Sequence, residues 1–175
     1  MGKKKATKKK ASTKKNADLG LIEIGAKAPA IALKDQNGKL RRLSEFKGQN
    51  IVLYFYPRDN TSGCTKQACA FRDEIESFGE LNAVVIGVSP DDETSHTKFI
   101  TKYELPFILL ADPERKALEK YGVWQEKNMY GRKVMGVVRT TYIIDSSGKI
   151  AARFDKVRVA DHIPKVIETL QSLTD

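Results

Sequence analysis

Only two cysteines occur in the 175 residues, and both lie in one short stretch. It reads Tyr56-Pro57-Arg58-Asp59-Asn60-Thr61-Ser62-Gly63-Cys64-Thr65-Lys66-Gln67-Ala68-Cys69. A pair spaced C-x4-C admits four chemistries. A zinc site wants tighter pair spacing, and the only histidines, His96 and His162, are remote in sequence. A dithiol oxidoreductase uses C-x-x-C, which is absent. Two inert core thiols are a common fate of free cysteine. The fourth chemistry is a reactive pair, in which one thiolate meets an oxidant and the other resolves the product.

The elements around the pair narrow these readings. An apolar run from Ile51 to Tyr56 delivers the chain into Pro57 and a polar loop. Cys64, Ala68, Phe71, Ile75 and Phe78 then recur at helical offsets of three and four. Cys64 therefore belongs to the first turn of a helix. Unpaired N–H groups and the positive end of the macrodipole there favour a thiolate, which is the reactive form of cysteine. Five residues of helix rise about 7.5 Å and turn about 140°, so the two Cα atoms are roughly 8 to 9 Å apart. A disulfide needs them closer than about 7 Å. If Cys64 and Cys69 bridge, the first turns must unwind.

Three further residues stand out. Pro57 holds the strand exit and has no N–H to mispair. Thr61, three residues before Cys64, can offer its hydroxyl near the sulfur. Arg139 interrupts an otherwise apolar or β-branched run, Val137 to Ile144, that reads as a central strand. An arginine there needs a partner. It either pairs with an acid or is a fixed cation that holds Cys64 as thiolate and binds substrate oxygens.

In chain order, a strand over 30–33, an Asn37-Gly38 turn and a return over 39–43 form an N-terminal hairpin. Ser44 caps a single helical turn ended by Gly48. Asn50–Tyr56 is a strand buried on both faces, followed by a helix from Gly63 to about Gly79. Ala83–Val88 is a second buried strand. Ser89-Pro90 starts a helix that runs to Tyr103. Phe107–Leu110 is a short strand, and Asp112 caps a helix to about Tyr121. Gly122–Lys133 reads as irregular, with the only tryptophan, Trp124. Val134–Asp145 reads as one long strand, Lys149–Phe154 as its partner, and Val159–Thr174 as a closing helix. The alternation predicts an α/β, thioredoxin-like fold: a central mixed sheet flanked by helices, with an N-terminal β-hairpin. Functional groups gather where a strand's carboxyl end meets the next helix, and Cys64 lies at such a point.

Composition bounds the rest. The chain suits one domain over 21–175, after a lysine-rich tail over 1–20 expected to be disordered. Lysines 3, 4, 5, 8, 9, 10, 14 and 15 account for all but one unit of the +9 net charge. The tail is either a solubilising extension or an arm for non-specific nucleic acid through residues 3–15. No secretory signal or membrane span is read, and two cysteines point to a reducing, cytoplasmic setting, with nuclear or nucleoid association through the tail as a variant.

Pro57-x-x-x-Thr61-x-x-Cys64 resembles the peroxiredoxin motif P-x-x-x-T-x-x-C. Gly63 to Asp73 is similar to the Q-type subgroup, also called bacterioferritin comigratory protein. The likeness extends from about Gly25 to the C-terminus, through Lys120 to Trp124 and Arg139 to Asp145. Ser62 stands where the family usually has proline, and the tail is outside the family pattern. The resemblance implies a thiol peroxidase without cofactor or metal. Cys64 would be peroxidatic, forming a sulfenic acid with hydrogen peroxide or an organic hydroperoxide. Cys69 would resolve it as an intramolecular disulfide, reduced by thioredoxin or glutaredoxin. Thr61, Arg139 and the Cys64 N–H would bind the peroxide, and Pro57 would shield it. A monomer is expected. The competing reading is a redox-sensing nucleic-acid-associated protein acting through its tail.

Overall fold

The computed structural model describes residues 20–174, and a seven-stranded mixed sheet organises them. The expected tail falls almost wholly outside the described residues. Strands β1 (Ala32–Asp35) and β2 (Leu40–Arg42) form the N-terminal hairpin. Asp35 makes its turn, accepting from the N–H groups of Asn37 and Lys39 at 2.9 and 3.1 Å, with Gly38 at φ 77°. Strand β3 (Asn50–Phe55) is buried at all six positions. It runs parallel to β4 (Ala83–Ser89), which runs parallel to β5 (Ile108–Ala111). On its other side β3 pairs antiparallel with β8 (Thr140–Ile144), and β8 with β9 (Ile150–Phe154). The order across the sheet is β2-β1-β5-β4-β3-β8-β9, a thioredoxin-like α/β arrangement.

The alternation of β3 divides the core. Val52, Tyr54 and Tyr56 face the helices α1 (Ser62–Asp73), α3 (Glu93–Tyr103) and α5 (Val159–Thr174). Ile51, Leu53 and Phe55 face α4 (Lys116–Lys120), Tyr121 and Tyr142. Each fully buried Leu, Ile, Val or Phe contributes about 1.5–3 kcal/mol, so a strand buried on both faces is the natural centre. Tyr54 stacks on Phe71 of α1 at 4.6 Å, tying the helix to the strand that precedes it.

Several elements depart from the sequence reading. The short helical turn is a 3-10 turn over Leu43–Phe46 without a side-chain cap, so Ser44 does not cap it. The helix after Cys64 breaks at Glu74, and α2 (Ile75–Glu80) follows as a separate piece. Ser89 ends β4; Asp92 caps α3 instead, accepting from Ser95 N at 2.8 Å. The segment read as irregular is a second sheet: β6 (Trp124–Met129) pairs with β7 (Arg132–Val137). Its turn is Tyr130-Gly131, both at positive φ. The long strand read over 134–145 is thus two strands that leave different sheets at Val138-Arg139. Among the described residues, no helix is long and apolar enough to cross a membrane.

Candidate active site

The loop from β3 into α1 carries Pro57 and Thr61, and the first turns of α1 carry both cysteines. Thr61 is the N-cap residue, but no side chain caps the helix. The first N–H groups of α1, Cys64's included, precede its first backbone bond, Thr65 N to Thr61 O at 2.8 Å. A helix of twelve residues thus presents an uncapped positive end beside a thiol. Cys64 is buried at 2% exposure, Cys69 is half-buried, and both are free. With α1 continuous through both, helical spacing keeps the pair beyond bridging range.

Arg139 reaches Cys64 from the opposite side. It lies in the gap between β7 and β8, not within a central strand as its sequence neighbours suggest. Its Nη2 donates to Cys64 Sγ at 3.4 Å and its Nη1 to Gln67 Oε1 at 2.5 Å. Among the described residues no acid holds it, so of the two readings of this arginine the carboxylate pairing is not met. Because the guanidinium can only donate, the Gln67 oxygen must face it, which fixes the amide's orientation. Gln67 Nε2 is then left buried without a partner among the described residues. A Cβ at Gly63 would stand 3.2 Å from Arg139 Nη2, so the absence of a side chain there lets the guanidinium come down on the thiol.

Of the residues singled out from the sequence, Cys64 and Arg139 meet directly. Pro57 and Thr61 lie on the loop that leads into α1, and Cys69 lies one to two turns further along α1. The exposed Thr61 hydroxyl donates to Arg58 O at 3.0 Å, which leaves its lone pairs for another donor.

A buried network braces the loop. Asp59 receives Tyr56 Oη at 2.5 Å, Ser95 Oγ at 2.8 Å and His96 Nδ1 at 2.7 Å. Its own N–H donates to Asp91 Oδ2 at 2.8 Å, which also accepts from Ser89 Oγ at 2.7 Å. His96 Nε2 donates to Leu110 O at 2.9 Å, since a carbonyl can only accept. Burial works against the charged imidazole, but the hydrogen bond and charge of Asp59 outweigh it and raise the His96 pKa. The ligand atoms of Asp59, Asp91 and His96 lie within 4.8 Å of one another. Each already has protein partners, so the cluster reads as a brace. Asn60 next to it, at φ 62°, accepts from Lys102 Nζ at 3.4 Å and Tyr103 Oη at 3.3 Å.

Sequence reasoning missed Gln67 and the Asp59–His96 pair. Gln67 was within reach, because offset three from Cys64 shares its helix face. The others depend on long-range packing. Burial and then the charge of Arg139 depress the pKa of His162 to about 4, and its Nε2 meets Thr141 Oγ1 at 2.9 Å.

Comparisons with known proteins bear on the family and the fold. Residues 24–153 match the AhpC/TSA family. The chain is 49% identical over 154 residues to "Peroxiredoxin Bcp" of Bacillus subtilis, covering 88% of this chain and 98% of that one. It is 42% identical to "Peroxiredoxin Q, chloroplastic" of Populus jackii, over 93% of this chain and 74% of that one. Among solved structures, peroxiredoxin Q of Xanthomonas campestris superposes with a TM-score of 0.79 at 32% identity, over 83% and 92% of the two chains. A cysteine-to-serine mutant of PrxQ from Xylella fastidiosa gives 0.83 at 30% identity, over 88% and 98%.

Proposed function

The chain belongs to the AhpC/TSA family and is a peroxiredoxin of the Bcp/PrxQ type, and on that premise we propose that it reduces hydroperoxides through Cys64 with Cys69 as an internal resolving thiol. The Cys64 thiolate attacks the terminal peroxide oxygen. An S–O bond forms, the O–O bond breaks, and the departing alkoxide or hydroxide takes a proton to leave as alcohol or water. Cys64 becomes a sulfenic acid. The negative charge that shifts along the O–O axis is met by donors already in place: the uncapped N-terminus of α1 and the Arg139 guanidinium. Thr61, on the loop above, accepts from the peroxide, and Pro57 keeps water from the sulfur.

Cys69 then attacks the Cys64 sulfur, expelling the sulfenic oxygen as water and leaving a disulfide. That bond cannot form across a continuous α1, so the first turns unwind. A thioredoxin- or glutaredoxin-like dithiol reduces the disulfide, and the helix reforms. A resolving thiol on the same helix requires no second subunit, which supports a monomer.

The observation that carries the reading is Arg139 on Cys64 Sγ at 3.4 Å, with no acid among the described residues competing for the guanidinium. Steady-state reduction of hydrogen peroxide and of a bulky organic hydroperoxide, with thioredoxin as donor, tests it. Cys64→Ser is expected to abolish turnover. Cys69→Ser is expected to allow one oxidation and to stop thioredoxin-dependent cycling. Mass spectrometry of the peroxide-treated protein should show two hydrogens lost from a peptide holding both cysteines. Turnover by Cys64→Ser, or a disulfide between two chains, would overturn the scheme.

A further inference from the structure

A lysine of the β6–β7 hairpin is anchored on the strand that leads to Arg139, with no acid among the described residues to balance it. Lys127 is half-buried on β6 and donates through Nζ to Val137 O, the carbonyl two residues before Arg139. The hairpin register sets Gln125 opposite Gly136 and Lys127 opposite Val134, so Lys127 and Gly136 share one face. A Cβ at Gly136 would stand 3.1 Å from Lys127 Cδ, so the stem crosses the glycine on its way inward. Among the described residues, no carboxylate lies within 4.0 Å of Lys127 or of Arg139.

Two cations on neighbouring anchors, Lys127 on Val137 O and Arg139 two residues on, with no acid between them, repel. Burial lowers the pKa of Lys127 and the Arg139 charge lowers it further, while Cys64 acts in the opposite sense. Among the described residues, Cys64 is the anion-forming group that hydrogen-bonds Arg139 and acts on Lys127. We propose that Lys127 is a positioning residue for the peroxidase reaction, forming with Arg139 a two-cation clamp whose counter-ion is the Cys64 thiolate. This rests on Cys64 being the reacting thiol. It adds a consequence for the cycle. Conversion of the thiolate to a neutral sulfenic acid removes the shared anion, so the two cations then repel without compensation. That repulsion loosens Arg139 and the hairpin from the sulfur at the step where α1 must unwind.

The test uses the full chain with Cys69→Ser as background, so that only Cys64 reports, and follows its alkylation by iodoacetamide against pH. Lys127→Gln keeps a donor for Val137 O without the charge, Lys127→Met removes both, and Lys127→Arg keeps the charge. The Gln and Met variants are expected to shift the profile upward by roughly half to one pH unit, slowing alkylation and peroxide reaction about 3- to 10-fold on the acid side. Lys127→Arg should restore the wild-type profile. A Gln profile superimposable on wild type would overturn the proposal. The coupling is reciprocal, so Cys64→Ser should lower the Lys127 pKa read by NMR at Cε; an unchanged value would also overturn it. A wild-type chain without peroxidase turnover would sink the functional reading alone, because the alkylation profile does not depend on turnover.

Discussion

At the scale of single residues, polar atoms at this site are aligned for chemistry at the expense of stability. Among the described residues, Gln67 Nε2 is buried with nothing to receive its hydrogens, and Tyr54 Oη is buried without a partner under the same helix. An unmet buried donor costs about 1–3 kcal/mol, a cost tolerated where a group has a second task. For Gln67 that task is to hold Arg139 on the sulfur. Gln67→Leu should therefore lower kcat/KM for peroxide by about 10-fold, since the guanidinium loses its anchor. Denaturant unfolding of the same variant should give a stability equal to or above wild type. A loss of stability with unchanged kinetics would contradict the role.

At the scale of elements, α1 is the part that the proposed Cys64–Cys69 disulfide requires to change shape. Its N-terminus is uncapped, it ends at Asp73, and α2 restarts after Glu74, so it is shorter than its apolar periodicity implied. Lys66 is exposed between the two cysteines. Limited trypsin digestion after peroxide treatment should cleave after Lys66 faster than in the reduced protein, with loss of helical circular dichroism. Equal cleavage rates would mean that the helix persists. The sheet below α1 has no such freedom. A Cβ at Gly87 of β4 would come within 2.7 Å of Leu109 Cδ2 and 2.8 Å of Tyr54 Cζ. Gly87→Ala should destabilise by about 1–3 kcal/mol in chemical denaturation, because strand and rings would have to part.

At the scale of the whole molecule, two buried histidines give stability opposite pH dependences. His96 has a raised folded-state pKa, so its contribution is complete below the unfolded value of about 6.5 and is lost as pH rises through the folded value. His162 is depressed to about 4, so the unfolded state binds its proton first. Stability falls as pH drops from about 6.5 to 4, by on the order of 2–3 kcal/mol, and this residue adds no further loss below that. Thermal unfolding of His162→Gln should lose this acid-side slope; an unchanged slope would remove His162 as its source. The site and both core clusters lie within residues 20–174. Removal of residues 1–16 should accordingly leave peroxidase turnover and Tm unchanged, and equal DNA affinity with and without them across a salt series would exclude the tail as a nucleic-acid arm.

Much of this was legible along the chain. Strand β3 announced itself by an unbroken apolar run, α1 by offsets of three and four from Cys64, and α5 over 159–174 by one apolar face. These are local signals, set by the periodicity of a buried surface. The cysteine at a helix start, and its inability to reach Cys69 while that helix holds, followed from the same geometry. The β6–β7 hairpin did not, since its exposed Met129, Tyr130, Val134 and Met135 break the inside-outside alternation by which strands are read. Nor did the true setting of Arg139. Its neighbours belong to two different sheets, and only packing turns it onto Cys64, 75 positions away. Residue order alone placed Cys64 at a helix start and Cys69 on the same helix, which is the basis for proposing the one as the reacting thiol and that helix as the moving part. Tertiary structure alone decided which charges meet that thiol, because electrostatics depends on distance in space and burial, neither of which is written in the order of residues.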